Sequence, residues 1–176
     1  MEFEILYWIQ QLRTPALDEI MTAVTFLGDG GWFWIALGTA LFAVPRTRRT
    51  GAAMLISLAA GFILGNVILK NVVARQRPCW LDPMVALLIE NPSDYSFPSG
   101  HSLASFEGAV SILLYHKKWG VAAVVLAALI ACSRLYLFVH FPTDVLAGSL
   151  LGILIAVIVH RWMETPERKW NRKEAG

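Results

Sequence analysis

Long apolar runs are the feature of this sequence that most limits how it can fold. They are separated by short polar or basic segments and cover residues 31–44, 51–70, 100–115, 119–137 and 143–162. Only 16% of the 176 residues are charged, against about a quarter in soluble domains. Because a bilayer offers the backbone no hydrogen-bond partners, such runs must form helices. The sequence therefore predicts an all-α integral membrane bundle with about five to six transmembrane helices.

The predicted organisation is a single membrane domain that covers residues 1–176. Residues 1–27 are expected to form amphipathic helices at the membrane interface, because their second apolar segment, 16–27, is too short to span the hydrocarbon alone. Whether residues 1–27 cross the bilayer is left open. A transmembrane core is expected over residues 31–163, followed by a charged cytoplasmic tail over residues 164–176.

Basic residues cluster in three of the polar segments, namely 45–49, 117–118 and the tail. Lysine and arginine are enriched in cytoplasmic loops, so these segments are predicted to lie inside and the loop 75–98 outside. The loop that holds His140 falls on the same outer side. The sequence therefore predicts a multi-pass protein of the cell (plasma) membrane, with its C-terminus in the cytoplasm.

Polar residues gather in three clusters at the predicted outer ends of the spans. The clusters are Lys70 with Arg77, then Ser99-Gly100-His101, then Arg134 with His140 and Asp144. Ionisable residues in or near a bilayer are energetically expensive, so their convergence indicates a functional site. Three cations and two histidines around the start of a helix favour binding of a multiply charged anion, most simply a phosphate.

The spacing of these residues predicts their chemistry. Asp144 falls one turn beyond His140 and is expected to accept a hydrogen bond from its Nδ1, which leaves Nε2 free as a nucleophile. His101 is expected to protonate the leaving oxygen as a general acid. Charge on the transferring phosphoryl group would be stabilised by Lys70, Arg77, Arg134, the Ser99 hydroxyl and the N–H groups near Gly100.

Three sequence patterns, in this order, resemble a known family signature. They are Lys70-x6-Arg77-Pro78, Pro98-Ser99-Gly100-His101 and Ser133-Arg134-x5-His140-x3-Asp144. Together they resemble the signature of the type 2 phosphatidic acid phosphatase superfamily, in its membrane lipid phosphatase branch. The resemblance implies a helical bundle and a metal-independent reaction through a phosphohistidine. It further implies these roles: His140 as nucleophile, Asp144 as its orienting partner, His101 as acid, and Lys70, Arg77, Ser99, Gly100 and Arg134 as phosphate-binding residues.

The leading hypothesis is a membrane lipid phosphatase, with undecaprenyl or another polyprenyl diphosphate ranked first and phosphatidic acid or phosphatidylglycerol phosphate second. Arg75 beside Arg77 adds charge that a diphosphate could use, although Arg75 is interpreted first as a cation at a helix C-terminus. The apolar run 84–89 is expected either to guide a lipid chain or to pack over the bundle. A lipid phosphotransferase with the same residues is the enzymatic alternative. The non-enzymatic alternative is a small anion transporter or channel.

No cofactor, metal site or nucleic-acid partner is expected. Cys79 and Cys132 lack a metal-binding spacing, and the sequence contains no HExxH motif. The expected partners are the lipid phosphate substrate and the bilayer, and the oligomeric state is left open. Asn66, one turn before Lys70, is expected either to orient that lysine or to pack between helices, and Glu107 has no assigned role.

Overall fold

The computed structural model describes residues 1–164, and within this range the chain is helical, without a β-strand. The helices in chain order are α1 (Glu2–Gln10), α2 (Pro15–Phe26), α3 (Trp32–Ala43), α4 (Arg48–Gly61), α5 (Lys70–Val73), α6 (Pro78–Leu81), α7 (Gly100–Tyr115), α8 (Lys117–Tyr136) and α9 (Pro142–Met163). A 3₁₀ turn, Asp29–Gly31, precedes α3, and π-helical turns, Phe62–Leu69, join α4 to α5. The predicted tail, 164–176, lies outside the described residues apart from Glu164.

Three of the described helical stretches are long and apolar enough to cross a membrane. They are Arg48–Leu81, Lys117–Tyr136 and Pro142–Met163. A fourth would be formed by α2 together with Asp29–Ala43, which meet at a bend of 41°. The prediction of an all-α membrane bundle is therefore confirmed. The higher count of about five to six spans stays a prediction, because α7 has only 16 residues and helix length alone does not establish it as a span.

Helix α7 lies at the centre of the bundle, where it packs against α4, α8 and α9. Its contact with α9 is close because Gly148 and Gly152 carry no side chain. A methyl group at either position would lie 2.5 Å from the carbonyl oxygen of Ser99 or of Leu103, respectively. Small residues let helices approach closely in a membrane, where the hydrophobic effect contributes little to helix association. Gly148 and Gly152 therefore form the surface of α9 that packs on α7.

The starts of α7 and α9 are joined to each other. Ser99 is the N-cap of α7, and its Oγ accepts a hydrogen bond from the Ser102 N–H at 3.4 Å. Helix α9 begins at Pro142, and Asp144 Oδ2 accepts a hydrogen bond from the Phe141 N–H at 2.8 Å. The Ser99 N–H in turn donates to the backbone oxygen of Asp144 at 3.1 Å. The two helix starts therefore form one corner that carries residues of two predicted clusters.

Helix α1 packs over the loop 137–141, which connects α8 to α9. Leu6 of α1 is fully buried in an apolar cluster with Phe138 and Phe141 of that loop. Most of the apolar run 84–89 packs against the same cluster, although Met84 is 89% exposed. The structure therefore supports packing over the bundle for this run, which was one of its two interpretations.

Candidate active site

The predicted site residues come together around one cavity of about 1040 Å³. Six of the eight line it, namely Lys70, Arg77, Gly100, His101, Arg134 and His140. The other two, Ser99 and Asp144, are fully buried behind its wall. The three clusters that are separate in sequence therefore form a single site, built from the end of the α4–α5 helix, the start of α7 and the α8–α9 connection.

The His140 imidazole is buried, with its two nitrogens in different surroundings. Nε2 lies 3.1 Å from Nη1 of Arg77, an obligate donor, so Nε2 carries the lone pair. Nδ1 therefore carries the proton and faces the Ser96 hydroxyl at 3.3 Å. Burial first, and then the charges of Arg77, Arg134 and Lys70, hold the pKa of His140 well below its usual value. The ring is thus kept neutral with Nε2 available as a nucleophile.

The predicted direct hydrogen bond from His140 to Asp144 is wrong. Their closest atoms, Nδ1 and Oδ2, are 3.8 Å apart, and the Ser96 hydroxyl bridges them by donating to Oδ2 at 2.6 Å. The reason is competition for Oδ2, which also caps α9 by accepting from the Phe141 N–H. Asp144 therefore orients His140 through Ser96, a residue that the sequence interpretation missed although it lies three positions before Ser99.

Arg75 directly follows Ala74, the C-cap of α5, at the predicted helix C-terminus, but its side chain contacts other segments. Its Nη1 donates to Asp144 Oδ1 at 2.7 Å, its Nη2 donates to Glu2 Oε2 at 2.6 Å, and its guanidinium lies 4.1 Å from the ring centre of Phe141. The charge of this side chain is therefore taken up by carboxylates of two other segments, and no hydrogen bond from it to the last carbonyl oxygens of α5 is present among residues 1–164. Arg75 lies outside the cavity, so it supplies no charge to a bound diphosphate there.

Lys70 and Arg77 meet on one carboxylate, that of Asp94. Lys70 Nζ pairs with Oδ2, and Arg77 Nη2 donates to Oδ1 at 2.6 Å. Arg77 is held in place by two backbone oxygens, those of Asp94 and Val139, each at 2.7 Å from a guanidinium nitrogen. Two cations around one anionic group is the arrangement that a phosphate requires.

These two cations hold the pKa of the Asp94 carboxyl below its usual range. Burial alone would raise the pKa of its carboxyl, but the hydrogen bond and charge of Lys70, and then those of Arg77, outweigh burial and lower the pKa to about 2. Because the pKa of this carboxyl is lower in the fold than in the unfolded chain, the carboxylate stabilises the fold at pH values above its ordinary pKa of about 4. That stabilisation is lost as the pH falls toward about 2.

Arg134 brings a third cation to the cavity. It is 3% exposed, its Nη1 donates to the Thr25 hydroxyl of α2, and its Nε lacks a hydrogen-bond partner among residues 1–164. A buried guanidinium N–H without a partner is costly, so this group is suited to an anion in the cavity.

His101 has an unforeseen partner, Asp29, from the turn between α2 and α3. Its Nε2 lies 2.8 Å from Asp29 Oδ1. No hydrogen bond from Nδ1 to any residue within 1–164 is present, so Nδ1 is the nitrogen free to meet a ligand. The sequence of this turn, Gly28-Asp29-Gly30-Gly31, indicates only a bend, and nothing in it signals a histidine 72 residues away.

Sequence similarity to known proteins identifies the family of this chain. The family model described as "PAP2 superfamily" matches residues 50–168. An undecaprenyl-diphosphatase of Sulfolobus acidocaldarius is 40% identical to the chain over 156 residues, which are 88% of this chain and 75% of that protein.

Two solved structures are similar over most of the chain. The first is a transmembrane PAP2 type phosphatidylglycerolphosphate phosphatase from Bacillus subtilis, with a TM-score of 0.75 and 32% identity over 92% of this chain and 83% of the other. The second is LpxE of Aquifex aeolicus, with a TM-score of 0.77 and 30% identity over 91% of this chain and 94% of the other. Family and fold are therefore supported both by sequence and by structure.

Proposed function

Because this chain belongs to the PAP2 superfamily, we propose that it hydrolyses the phosphate monoester or diphosphate of a membrane lipid through a phosphohistidine. One observation carries the proposal. Lys70 and Arg77 converge on a single carboxylate, and Arg77 also contacts Nε2 of His140, the nitrogen that carries the lone pair. A phosphate in the place of that carboxylate would have its charge neutralised and its phosphorus within reach of the nucleophile.

The reaction takes place in two steps. In the first, Nε2 of His140 forms a bond to phosphorus while the bond from phosphorus to the lipid oxygen breaks, and Nδ1–H of His101 protonates that oxygen. In the second, His101 takes a proton from water, the water oxygen attacks phosphorus, and the bond from phosphorus to Nε2 breaks. Inorganic phosphate leaves, and both histidines return to their starting protonation states.

The charge that builds up on the phosphoryl oxygens is met by groups already in place. Lys70, Arg77 and Arg134 supply the positive charge, and the N–H groups at the start of α7, near Gly100, supply hydrogen bonds. The Ser99 hydroxyl accepts from the N–H and hydroxyl of Ser102, so we assign it to shaping this helix start. The chain from Asp144 through Ser96 keeps the proton of His140 on Nδ1.

Two lipid classes are candidate substrates. A polyprenyl diphosphate ranks first, supported by the relative named as an undecaprenyl-diphosphatase. A phosphorylated glycerolipid ranks second, supported by the similar phosphatidylglycerolphosphate phosphatase. Arg75 does not support a diphosphate substrate, because its guanidinium pairs with Asp144 and Glu2.

We also propose the finer topology. The helix starts at Arg48 and Lys117 lie at the opposite ends of their helices from Lys70 and Arg134, which supports a site on the outer face and a cytoplasmic tail, 164–176. Residues 31–163 would then be the transmembrane core of about five to six helices, with residues 1–27 forming a cover at the interface.

The test is release of inorganic phosphate by the purified protein in detergent, with farnesyl diphosphate and short-chain phosphatidic acid as substrates and with a chelator present throughout. We expect turnover of both substrates without added metal, because cationic side chains occupy the position where a divalent ion would act. If the folded protein, with its helical content intact, releases phosphate from neither of the two lipids, the proposal is contradicted.

Asp29 is expected to act as a positioning residue for His101. Asp29→Asn keeps a hydrogen-bond acceptor for Nε2 but removes the negative charge that stabilises a protonated ring. We expect kcat for phosphatidic acid to fall by about tenfold to a hundredfold, and the alkaline limb of its pH profile to move to lower pH. The measurement is the pH–rate profile of both proteins.

An aryl phosphate serves as the matched control, because its leaving group departs without a proton. The Asp29→Asn variant should hydrolyse it at close to the wild-type rate. An equal loss on both substrates, with an unshifted profile, would show that Asp29 acts only on the fold.

Asp94→Asn is expected to strengthen anion binding. The Asp94 carboxylate pairs with Lys70 and Arg77 and stays ionised above about pH 2, so a substrate phosphate must displace a charged group. The neutral amide competes less, and we expect the inhibition constant for vanadate to fall several-fold at pH 7. Weaker vanadate inhibition in this variant would mean that Asp94 instead holds the cations in their binding geometry.

A further inference from the structure

The cavity extends well beyond the phosphate-binding cluster. From the histidines it continues between α3, the α4–α5 helix and α7, where its walls are apolar. These walls include Ile35, Leu55, Leu58, Phe62 and Leu103. Its volume of about 1040 Å³ suits a ligand of lipid size and greatly exceeds what one phosphate needs.

Two polar groups without partners interrupt this apolar region. Glu107 is 1% exposed, and its Oε1 lacks a hydrogen-bond partner in the described part of the chain. The same holds for Oδ1 of Asn66. Both residues line the cavity, and unpaired buried polar atoms in a native fold require an explanation. An ionisable residue inside a membrane bundle is, moreover, a candidate for a functional site.

The two residues lie at different levels of the cavity, with Asn66 beside the phosphate site and Glu107 farther along α7. Asn66 precedes Lys70 by about one turn and lies against the start of α7, where a methyl group on Gly100 would come within 2.9 Å of its Oδ1. Glu107 follows His101 by six residues, or about 9 Å along the helix axis. Gly61 lies opposite the Glu107 carboxyl and leaves the space that this carboxyl occupies. Both groups are therefore placed beside the first part of a lipid that has its phosphate at His140.

The Glu107 carboxyl is suited to donate a hydrogen bond. Among residues 1–164 it forms no ion pair, and burying an unpaired carboxylate in an apolar wall is far more costly than burying the neutral acid. A neutral carboxyl offers one O–H donor. A prenyl chain has no acceptor for it, whereas a glycerolipid carries ester oxygens within one glycerol unit of its phosphate.

We propose that Glu107 and Asn66 form a polar subsite that binds the glycerol ester region of a phosphorylated glycerolipid. Glu107 donates to an ester oxygen, and the Asn66 amide lies beside the glycerol carbons nearer the phosphate. A polyprenyl diphosphate uses the same phosphate site and the same apolar walls but leaves the subsite unused. This inference rests on the proposed lipid phosphatase activity. It explains how the pocket would bind phosphorylated glycerolipids, the second-ranked substrate class.

The test compares Glu107→Leu and Glu107→Gln with the wild type, using phosphatidic acid and farnesyl diphosphate in one detergent. Leucine fills the space without a donor, and glutamine restores one. We expect Glu107→Leu to lower kcat/KM for phosphatidic acid about tenfold, which corresponds to about 1.4 kcal/mol of transition-state binding. Turnover of farnesyl diphosphate should stay within about twofold, and Glu107→Gln should regain part of the loss.

A substrate change provides a second measurement that leaves the protein untouched. Diether phosphatidic acid lacks the ester carbonyls, so the wild type should hydrolyse it more slowly than the diester. Equal kcat/KM for diester and diether in the wild type, or an equal loss on both lipid classes in Glu107→Leu, would overturn the subsite. Failure of the wild type to hydrolyse any of these lipids would instead overturn the proposed function.

Discussion

Replacing His140 with alanine is expected to abolish turnover of every lipid substrate, with a loss of roughly a thousandfold to a millionfold in kcat. The reason is that Nε2 of this ring would form the covalent bond to phosphorus, and no other histidine nitrogen in residues 1–164 forms a hydrogen bond with Arg77. Phosphate release from purified variant and wild-type protein measures the effect.

The control for this variant is His160→Ala. His160 is also a histidine packed inside the bundle, where its ring lies 4.7 Å from that of Tyr115, but it sits at the other end of α9 from Asp144. Turnover by His160→Ala should remain within a few-fold of the wild type. A correctly folded His140→Ala variant with near-normal turnover would exclude the phosphohistidine reaction.

Arg77→Ala is expected to give the second largest loss, about a hundredfold to a thousandfold in kcat/KM. Arg77 is 2% exposed and contacts His140, Asp94 and the carbonyl oxygen of Val139 at the same time. Its removal takes away both a charge for the phosphoryl group and the donor that keeps the lone pair of His140 on Nε2.

Arg77→Lys separates charge from geometry. Lysine keeps the charge but cannot make the branched set of hydrogen bonds, so we expect it to recover no more than about tenfold of the loss. Arg49→Ala is the matched control, because Arg49 pairs with Glu164 at a partly exposed position far from the cavity, and it should leave kcat/KM unchanged. Full activity in Arg77→Lys would mean that only the charge matters.

The helices could be predicted from the sequence because length and hydropathy determine them. The predicted spans 119–137 and 143–162 correspond to α8 and α9 within two residues at each end. The predicted span 51–70 falls inside a longer stretch, Arg48–Leu81, since the π-helical turns continue the helix without a polar break. The number of spans could not be fixed, because α2 and α3 are each short and meet at a bend.

The sequence motifs predicted which residues would gather at the site. They did not predict all the hydrogen bonds between those residues. Spacing placed Asp144 one turn from His140, but it could not show that the N-cap of α9 and Ser96 would take up Oδ2. Asp29 and Asp94 were missed for a related reason. Each is a single acidic residue in a turn or loop, and only the packing of distant segments brings it to His101 or to the cations.

A covalent phosphoryl group on His140 can be detected by trapping the labelled protein. His101→Ala enzyme, which lacks the base that activates water, is mixed with a ³²P-labelled aryl phosphate, whose leaving group departs without a proton, and is then quenched in alkali and digested for peptide mapping. We predict an acid-labile, alkali-stable label on the peptide that contains His140, and its absence when His140→Ala is added to the same protein. Phosphate release by the wild type without a labelled protein species, or a label on a residue other than His140, would contradict the account.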